Sequence, residues 1–266
     1  LPNYRYFDDK RYFSASKERK PLPIFVNSKK IMLGISICED MWDEDYSLKP
    51  IKELANKGAE IIININASPF YSGKLIERQE IIKRHVKENR LPFIYVNTVG
   101  AADNGKNIIP FDGQSLVYNK HNELIGLGKK FIEETFIVDL EERKEVNVIS
   151  KDLEQEIFEA LVMSLKDYAH QTGFKRAILP LSGGIDSALG LAITVEAFGK
   201  ENVIAYNLPS KFNTQTTKSI AENIAKNLGV KYKIIPIQEI DNKIKETFIK
   251  NTHEIQNKVA KENLHA

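Results

Sequence analysis

Cysteine is almost absent from these 266 residues: Cys38 is the only one. A lone cysteine excludes an internal disulfide and any multi-cysteine metal site, and it suits a reducing, cytoplasmic setting. The five histidines, His85, His121, His170, His253 and His265, show no metal-ligand spacing and read as structural or solvent-facing. No apolar run reaches membrane-spanning length. An excess of one charge is lacking too. With 38 Lys and Arg against 36 Asp and Glu, the net charge of +2 offers no footprint for nucleic acid or a membrane surface. Charged runs such as Glu141-Glu142-Arg143-Lys144 mix both signs, as solvated surface does. Internal repeats and low-complexity tracts are missing. The first residues are Leu1-Pro2, not Met, which reads as a start inside a longer protein. What remains, 42% hydrophobic and 28% charged, is an ordinary globular composition with length for two domains.

The most informative stretch lies late in the chain. Arg176-Ala177-Ile178-Leu179-Pro180-Leu181 is a short buried-strand pattern that runs into Ser182-Gly183-Gly184-Ile185-Asp186-Ser187. The apolar helix pattern Ala188-Leu189-Gly190-Leu191-Ala192-Ile193 follows. Strand, glycine turn and helix N-terminus together make an anion site, with free backbone N–H groups and the positive end of the helix dipole facing the ligand. Gly183 and Gly184 allow close backbone approach, and Ser182 and Ser187 add hydroxyls. Asp186 adds a carboxylate suited to magnesium held by phosphates. No lysine follows the glycines, which separates this loop from the Gly-x-x-x-x-Gly-Lys-Ser/Thr loop of kinases and GTPases. The pattern predicts a phosphate cradle for a magnesium nucleotide.

Taken in order, residues Leu1 to Asn27 lack periodicity and read as loop. Lys30 to Ile37 is a strand that delivers Cys38 at its end, followed directly by Glu39, Asp40, Met41 and Trp42. Helical spacing covers Ser47 to Lys57, with Gly58 as a C-cap. Glu60 to Asn66 is a strand, Lys74 to Asn89 a polar-faced helix, and Phe93 to Val96 a strand. Gly113 to Tyr118 and Thr135 to Leu140 have the pattern of antiparallel strands. Strands and helices alternating this way predict an α/β layered fold. Val146 to Ser150 reads as a linker, then Leu153 to Thr172 as a long helix. Beyond the glycine loop come strand Val203 to Tyr206, helix Thr216 to Leu228, strand Tyr232 to Ile235 and helix Gln238 to Ile249. That alternation predicts a parallel doubly wound sheet with its ligand outside the carboxyl ends of the strands.

Gly34-Ile35-Ser36-Ile37-Cys38-Glu39-Asp40-Met41-Trp42 resembles the nucleophile segment of the nitrilase superfamily, whose members hydrolyse C–N bonds through a Glu-Lys-Cys triad. Cys-Glu-Asp followed by Trp is similar to the glutaminase domain of glutamine-dependent NAD synthetases. Four further stretches match that domain in order: Leu1-Pro2-Asn3-Tyr4, Arg11-Tyr12-Phe13, Asn66-Ala67-Ser68-Pro69-Phe70 with Lys74 and Arg78, and Phe111-Asp112-Gly113-Gln114-Ser115. Ser182–Ser187 resembles the cradle of the ATP-pyrophosphatase ligases, and Leu208-Pro209-Ser210 continues the likeness. Glu262-Asn263-Leu264-His265-Ala266 resembles the start of a later segment of the same family.

The resemblance implies the C-terminal part of a nitrilase-like α/β/β/α sandwich over residues 1–148. A doubly wound ATP-pyrophosphatase domain follows over residues 149–266. It implies Cys38 as the nucleophile that releases ammonia from glutamine, with Tyr4, Glu39, Ser68 and Lys74 binding the glutamine. A free thiol of pKa about 8.5 is mostly protonated at neutral pH, so such a nucleophile needs a base or a cation nearby. The family's base Glu and its Lys are both expected upstream of Leu1. On the other half it implies ATP over Ser182, Gly183, Gly184, Asp186 and Ser187, adenine at the Leu208 backbone, and Mg2+ at Asp186. The implied substrates are ATP, deamido-NAD and glutamine, within a homo-oligomer of the cytoplasm. A different ATP-pyrophosphatase amidotransferase and an inactive nucleotide-binding fragment are the alternatives, and Cys38-Glu39-Asp40 argues against the first.

Overall fold

The computed structural model describes residues 8–143, 146, 152–210 and 215–251, so Tyr4, Thr214 and Glu262–Ala266 lie outside the described residues. The chain divides into two compact units, Leu1–Ser164 and Leu165–Ala266, each with its own apolar core.

In the first unit the described elements are α1 (Asp9–Tyr12), β1 (Leu22–Val26), β2 (Lys29–Ile37), α2 (Pro50–Asn56), β3 (Ile61–Asn66), α3 (Lys74–Asn89), β4 (Phe93–Asn97), β5 (Val99–Asp103), β6 (Ile108–Asp112), β7 (Leu116–Tyr118) and β8 (Leu124–Leu127). Six strands form one sheet in the order β1-β2-β3-β4-β7-β8, while β5 and β6 make a separate hairpin. The central strands β2, β3 and β4 run parallel, with Ser36, Asn64 and Tyr95 in register; the flanking pairs are antiparallel. Ile62, Phe93, Tyr95, Leu116 and Tyr118 are buried in one core with Ile51 and Leu54 of α2 and Ile82 and Val86 of α3. Side chains alternate between faces along a strand, so Ile37, Ile65 and Val96 fall on the opposite face, where they are exposed. Apolar residues on both faces are why these strands read as continuous isoleucine runs and not as alternation.

Two expectations are corrected here. The Leu1–Asn27 stretch is not all loop: β1 pairs with β2 through a tight turn at Asn27 and Ser28, both at positive φ. Asn and a small polar residue tolerate that conformation, and Pro23 fits because β1 is an edge strand. Thr135–Leu140 is not a strand. Its alternation is real, since Phe136 and Val138 pack over Gly126 of β8 while Ile137 is exposed, but this segment joins no ladder. The four residues of β8 are too few to show a strand pattern of their own.

A glycine is required at the start of β7's approach. Gly113 sits at φ +66, and a Cβ there would lie 2.5 Å from Val99 Cγ2 and 3.3 Å from the Lys129 carbonyl oxygen. Gly113→Ala therefore combines backbone strain with a clash. It is expected to lower stability by about 1–3 kcal/mol, read as a fall in the urea midpoint at unchanged slope.

The helix α4 (Leu153–Thr172) contains the division between the units. In its first turn Glu156 accepts hydrogen bonds from Ser72 and Lys130, which belong to the first unit. The second unit continues with β9 (Ala177–Pro180), α5 (Ile185–Phe198), β10 (Val203–Asn207), α6 (Gln215–Asn227), β11 (Lys231–Ile234) and α7 (Gln238–Asn251). Its three strands are parallel in the order β11-β10-β9. Leu191 and Val195 of α5 and Ala221, Ile224 and Ala225 of α6 pack with Val203 and Ala205 on one face. Two successive right-handed crossovers stepping the same way along a sheet place both helices on that face.

Candidate active site

Strand β2 ends at Ile37, and Cys38 opens a 3-10 turn, Cys38–Met41, at φ +42. A cysteine in the left-handed region is a strained position. The turn is held from both sides. The Ile37 N–H donates to Asp40 Oδ2 at 2.9 Å, and the carbonyl of Met41 lies 2.7 Å from His85 Nε2 on α3. His85 is buried and stacked on Phe93, and burial pushes its pKa down, which favours the neutral ring donating Nε2–H to that carbonyl.

Burial first, and then the neighbouring Glu39 carboxylate, push the Cys38 thiol up. Three groups work the other way: Lys74, the Ala67 backbone N–H and Arg78. The Glu39 carboxylate accepts the Tyr46 hydroxyl at 2.9 Å. Lys74 is buried at the start of α3, where its Nζ donates to the Pro69 carbonyl at 2.9 Å. The same ammonium lies 4.9 Å from the Tyr71 ring centroid and 5.4 Å from that of Trp42. Burial, and then the like charge of Arg78, lower the Lys74 pKa to about 8. Ser68 is buried, with its N–H donated to Asn97 Oδ1 at 2.9 Å and its carbonyl accepting from Arg78 Nη2 at 3.2 Å. Its hydroxyl lies against that of the buried Tyr95. Cys38, Glu39, Ser68 and Lys74 are thus assembled at the carboxyl ends of β2 and β3 and the start of α3.

Behind them lies an ion pair to which the sequence motifs assign no role. Arg78 and Asp112 are 0% and 1% exposed. A signal for it existed: in α3 the buried residues run Lys74, Arg78, Ile82, His85 and Val86, so two cations occupy the inward stripe of the helix. Lys74 also sits at its positive end, where a cation is disfavoured without an anion close by.

In the second unit the expected strand, glycine turn and helix follow one another at Ser182–Ser187. Gly183 is at φ +91, and Gly184 is the N-cap of α5. Its N–H donates to Ser182 Oγ at 3.3 Å, and Ser187 Oγ donates to the Gly184 carbonyl at 2.9 Å, with the two hydroxyl oxygens 3.1 Å apart. The floor is tied to the neighbouring strand: the buried Leu181 N–H donates to the Tyr206 carbonyl, and its own carbonyl accepts from Asn207 Nδ2, both at 2.8 Å. Leu208 follows β10 and is 42% exposed, so it and the cradle lie at the carboxyl ends of adjacent parallel strands. Asp186 is exposed in the first turn of α5. Among the described residues no cluster of three or more His, Cys, Asp or Glu could hold a metal. One carboxylate fits magnesium, which usually takes its remaining ligands from phosphates and water. No described helix is long and apolar enough to cross a membrane.

The sequence profile of the carbon-nitrogen hydrolase family matches residues 4–145, which carry the Cys38 site. The chain belongs to the carbon-nitrogen hydrolase family. Joined to this hydrolase part is a match to NAD synthase over residues 157–266, which carry the cradle. Relatives of this chain include the glutamine-dependent NAD(+) synthetase of Synechocystis sp., 36% identical over 90% of the chain and 44% of the relative. That of Aquifex aeolicus is 35% identical over 100% of the chain and 51% of the relative. Among solved structures, the glutamine-dependent NAD+ synthetase from Acinetobacter baumannii in complex with ADP matches with a TM-score of 0.85 and 32% identity. That match covers 100% of this chain and 49% of that one. The chain spans about half the length of the relatives it matches.

Proposed function

We propose that the protein containing this chain makes NAD by adenylating deamido-NAD with ATP and amidating it with ammonia released from glutamine. The observation that carries this is the pairing in one chain of a thiol beside buried cations, within the carbon-nitrogen hydrolase match, and a Ser-Gly-Gly-x-Asp-Ser turn, within the NAD synthase match. Residues 1–148 are assigned the glutaminase part and 149–266 the synthetase part. Cys38 is the nucleophile. Tyr4, Glu39, Ser68 and Lys74 hold glutamine, with the Lys74 ammonium facing its carboxylate. At the cradle Ser182, Gly183, Gly184 and Ser187 hold phosphates, the Leu208 backbone meets adenine, and Asp186 would hold magnesium. When bound, magnesium would neutralise charge on the leaving pyrophosphate. The working form is a cytoplasmic homo-oligomer.

Adenylation has a physical rationale, because a bare carboxylate resists attack by an amine. Its oxygen attacks the α-phosphorus of ATP, pyrophosphate leaves, and ammonia then displaces AMP to give the amide. Backbone N–H groups at the α5 N-terminus are aimed where negative charge develops on the phosphates. The test supplies the full-length protein with ATP, Mg2+, deamido-NAD and amide-15N glutamine and weighs the product. Labelled NAD supports both sites; NAD from added ammonia alone removes the Cys38 assignment; no NAD from either source removes the acceptor.

Two further results are expected. Asp186→Ala should slow NAD formation about 100-fold from glutamine and ammonia alike, since one charge-stabilising contact is lost. Retained ammonia-driven turnover would count against its metal role. Glutamine binding should weaken as pH rises. Lys74 is charged below about pH 8 and loses its proton above it, so the glutamine KM is expected to climb about tenfold per pH unit beyond that point. Lys74→Arg, which stays protonated, should flatten the climb; the same slope in both proteins would place another group at the carboxylate.

A further inference from the structure

Three stretches far apart in sequence meet at one buried carboxylate. Asp112, at the end of β6, accepts Arg78 Nη1 on Oδ2 at 2.7 Å and Nη2 on Oδ1 at 2.9 Å. Its Oδ1 also accepts Asn97 Nδ2 at 3.2 Å. Both partners then grip the same residue. Arg78 Nη2 donates to the Ser68 carbonyl at 3.2 Å, and Asn97 Oδ1 accepts the Ser68 N–H at 2.9 Å. The ring closes as Asp112, Arg78, Ser68, Asn97 and Asp112 again. Every member is buried.

The gripped residue lies between two groups that act on the thiol site. On one side the Ala67 N–H bonds to Cys38; on the other the Pro69 carbonyl holds the Lys74 ammonium. An apolar pair in place of Arg78 and Asp112 could fill the same space and keep the fold. It could not hold the Ser68 carbonyl. The ring therefore does something that packing alone does not.

We propose that Asp112 is a positioning residue for the reaction at Cys38, fixing through Arg78 and Asn97 the Ala67-Ser68-Pro69 segment against the thiol. This rests on the reading of Cys38 as the nucleophile that opens the glutamine amide. Asp112 touches no reacting atom; it sets where the Ala67 N–H and the Lys74 ammonium sit. A displacement of about 1 Å in such groups can lower a rate about 100-fold.

The test uses the full-length protein with the double variant Arg78→Met/Asp112→Leu, which removes both charges together, and with Asn97→Ser, which cuts the other arm without a charge change. Glutamine kcat and KM, ammonia-driven NAD formation, the thermal midpoint and the pH profile of Cys38 alkylation by iodoacetamide are measured. The expected result is a glutamine kcat about 10- to 100-fold lower with KM changed far less. Ammonia-driven synthesis should stay within about twofold, and the alkylation profile should move to higher pH as the Ala67 N–H loosens. A folded variant with native kcat and profile overturns the proposal. So does parallel loss of glutamine- and ammonia-driven activity with a fallen midpoint, the mark of a purely structural pair. If the double variant does not fold, Asn97→Ser decides by the same readings. Wild-type protein that leaves glutamine intact overturns the assigned reaction at Cys38, whereas the alkylation profile, which needs no substrate, still decides whether the ring sets the thiol's surroundings.

Discussion

Replacing Cys38 with alanine in the full-length protein is expected to cut glutamine-driven NAD formation by about 1,000-fold or more while leaving ammonia-driven formation within about twofold. On the proposed reading, the thiolate sulfur bonds to the amide carbon of glutamine, the C–N bond breaks, and ammonia leaves with the proton that the thiol gave up. Water then frees glutamate from the thioester. Alanine offers no atom that can form that bond. Burial and Glu39 hold the thiol up, so the site as described favours the protonated sulfur, and formation of the thiolate needs a proton acceptor. Lys74 and Arg78 stabilise the anion once formed but, while protonated, cannot take the proton. The measurement is the mass of NAD formed from each nitrogen source. Equal loss from both would sink the two-site reading.

Arg78→Ala is expected to destabilise the first unit by about 3–5 kcal/mol. The substitution leaves the Asp112 carboxylate buried with Asn97 as its remaining side-chain donor and strips the Ser68 carbonyl of its partner. Removing one member of a buried pair leaves an uncompensated charge, whereas removing both together does not. Urea unfolding of the full-length protein measures this, and the double variant Arg78→Met/Asp112→Leu should fall well short of the Arg78→Ala loss. A decrease below about 1 kcal/mol for Arg78→Ala would mean that water reaches Asp112. The placement of the pair sharpens the expectation. Lys74 lies in the first turn of α3, against the helix dipole, and Arg78 one turn further on, so the Asp112 carboxylate is the counter-charge for two buried cations.

Much of the scaffold was legible because it is locally encoded. Lys74–Asn89 and Leu153–Thr172 were read with the bounds that α3 and α4 have. Strand, glycine turn and helix at Ser182–Ser187 are consecutive in the chain, so its spacing and its geometry carry the same information. Cys38 at a strand end is equally local. β1 escaped because its apolar residues are interrupted by Pro23 and its partner is β2, so only pairing makes it a strand. Thr135–Leu140 misled because alternation reports which side chains are covered, and Gly126 of β8 gives Phe136 and Val138 a place to pack without a ladder.

The sequence by itself pointed to the two candidate centres, the helices α3 and α4 and the family, because each of these is written in residues that are neighbours or lie at fixed short spacings. Tertiary structure alone decided that Arg78 and Asp112 form a sealed pair, that this pair and Asn97 grip the peptide beside the thiol, and that Lys74 titrates near pH 8. Those properties depend on burial and on partners brought together by the sheet. A lysine or an arginine in a sequence carries no record of how far it stands from water or from the nearest carboxylate.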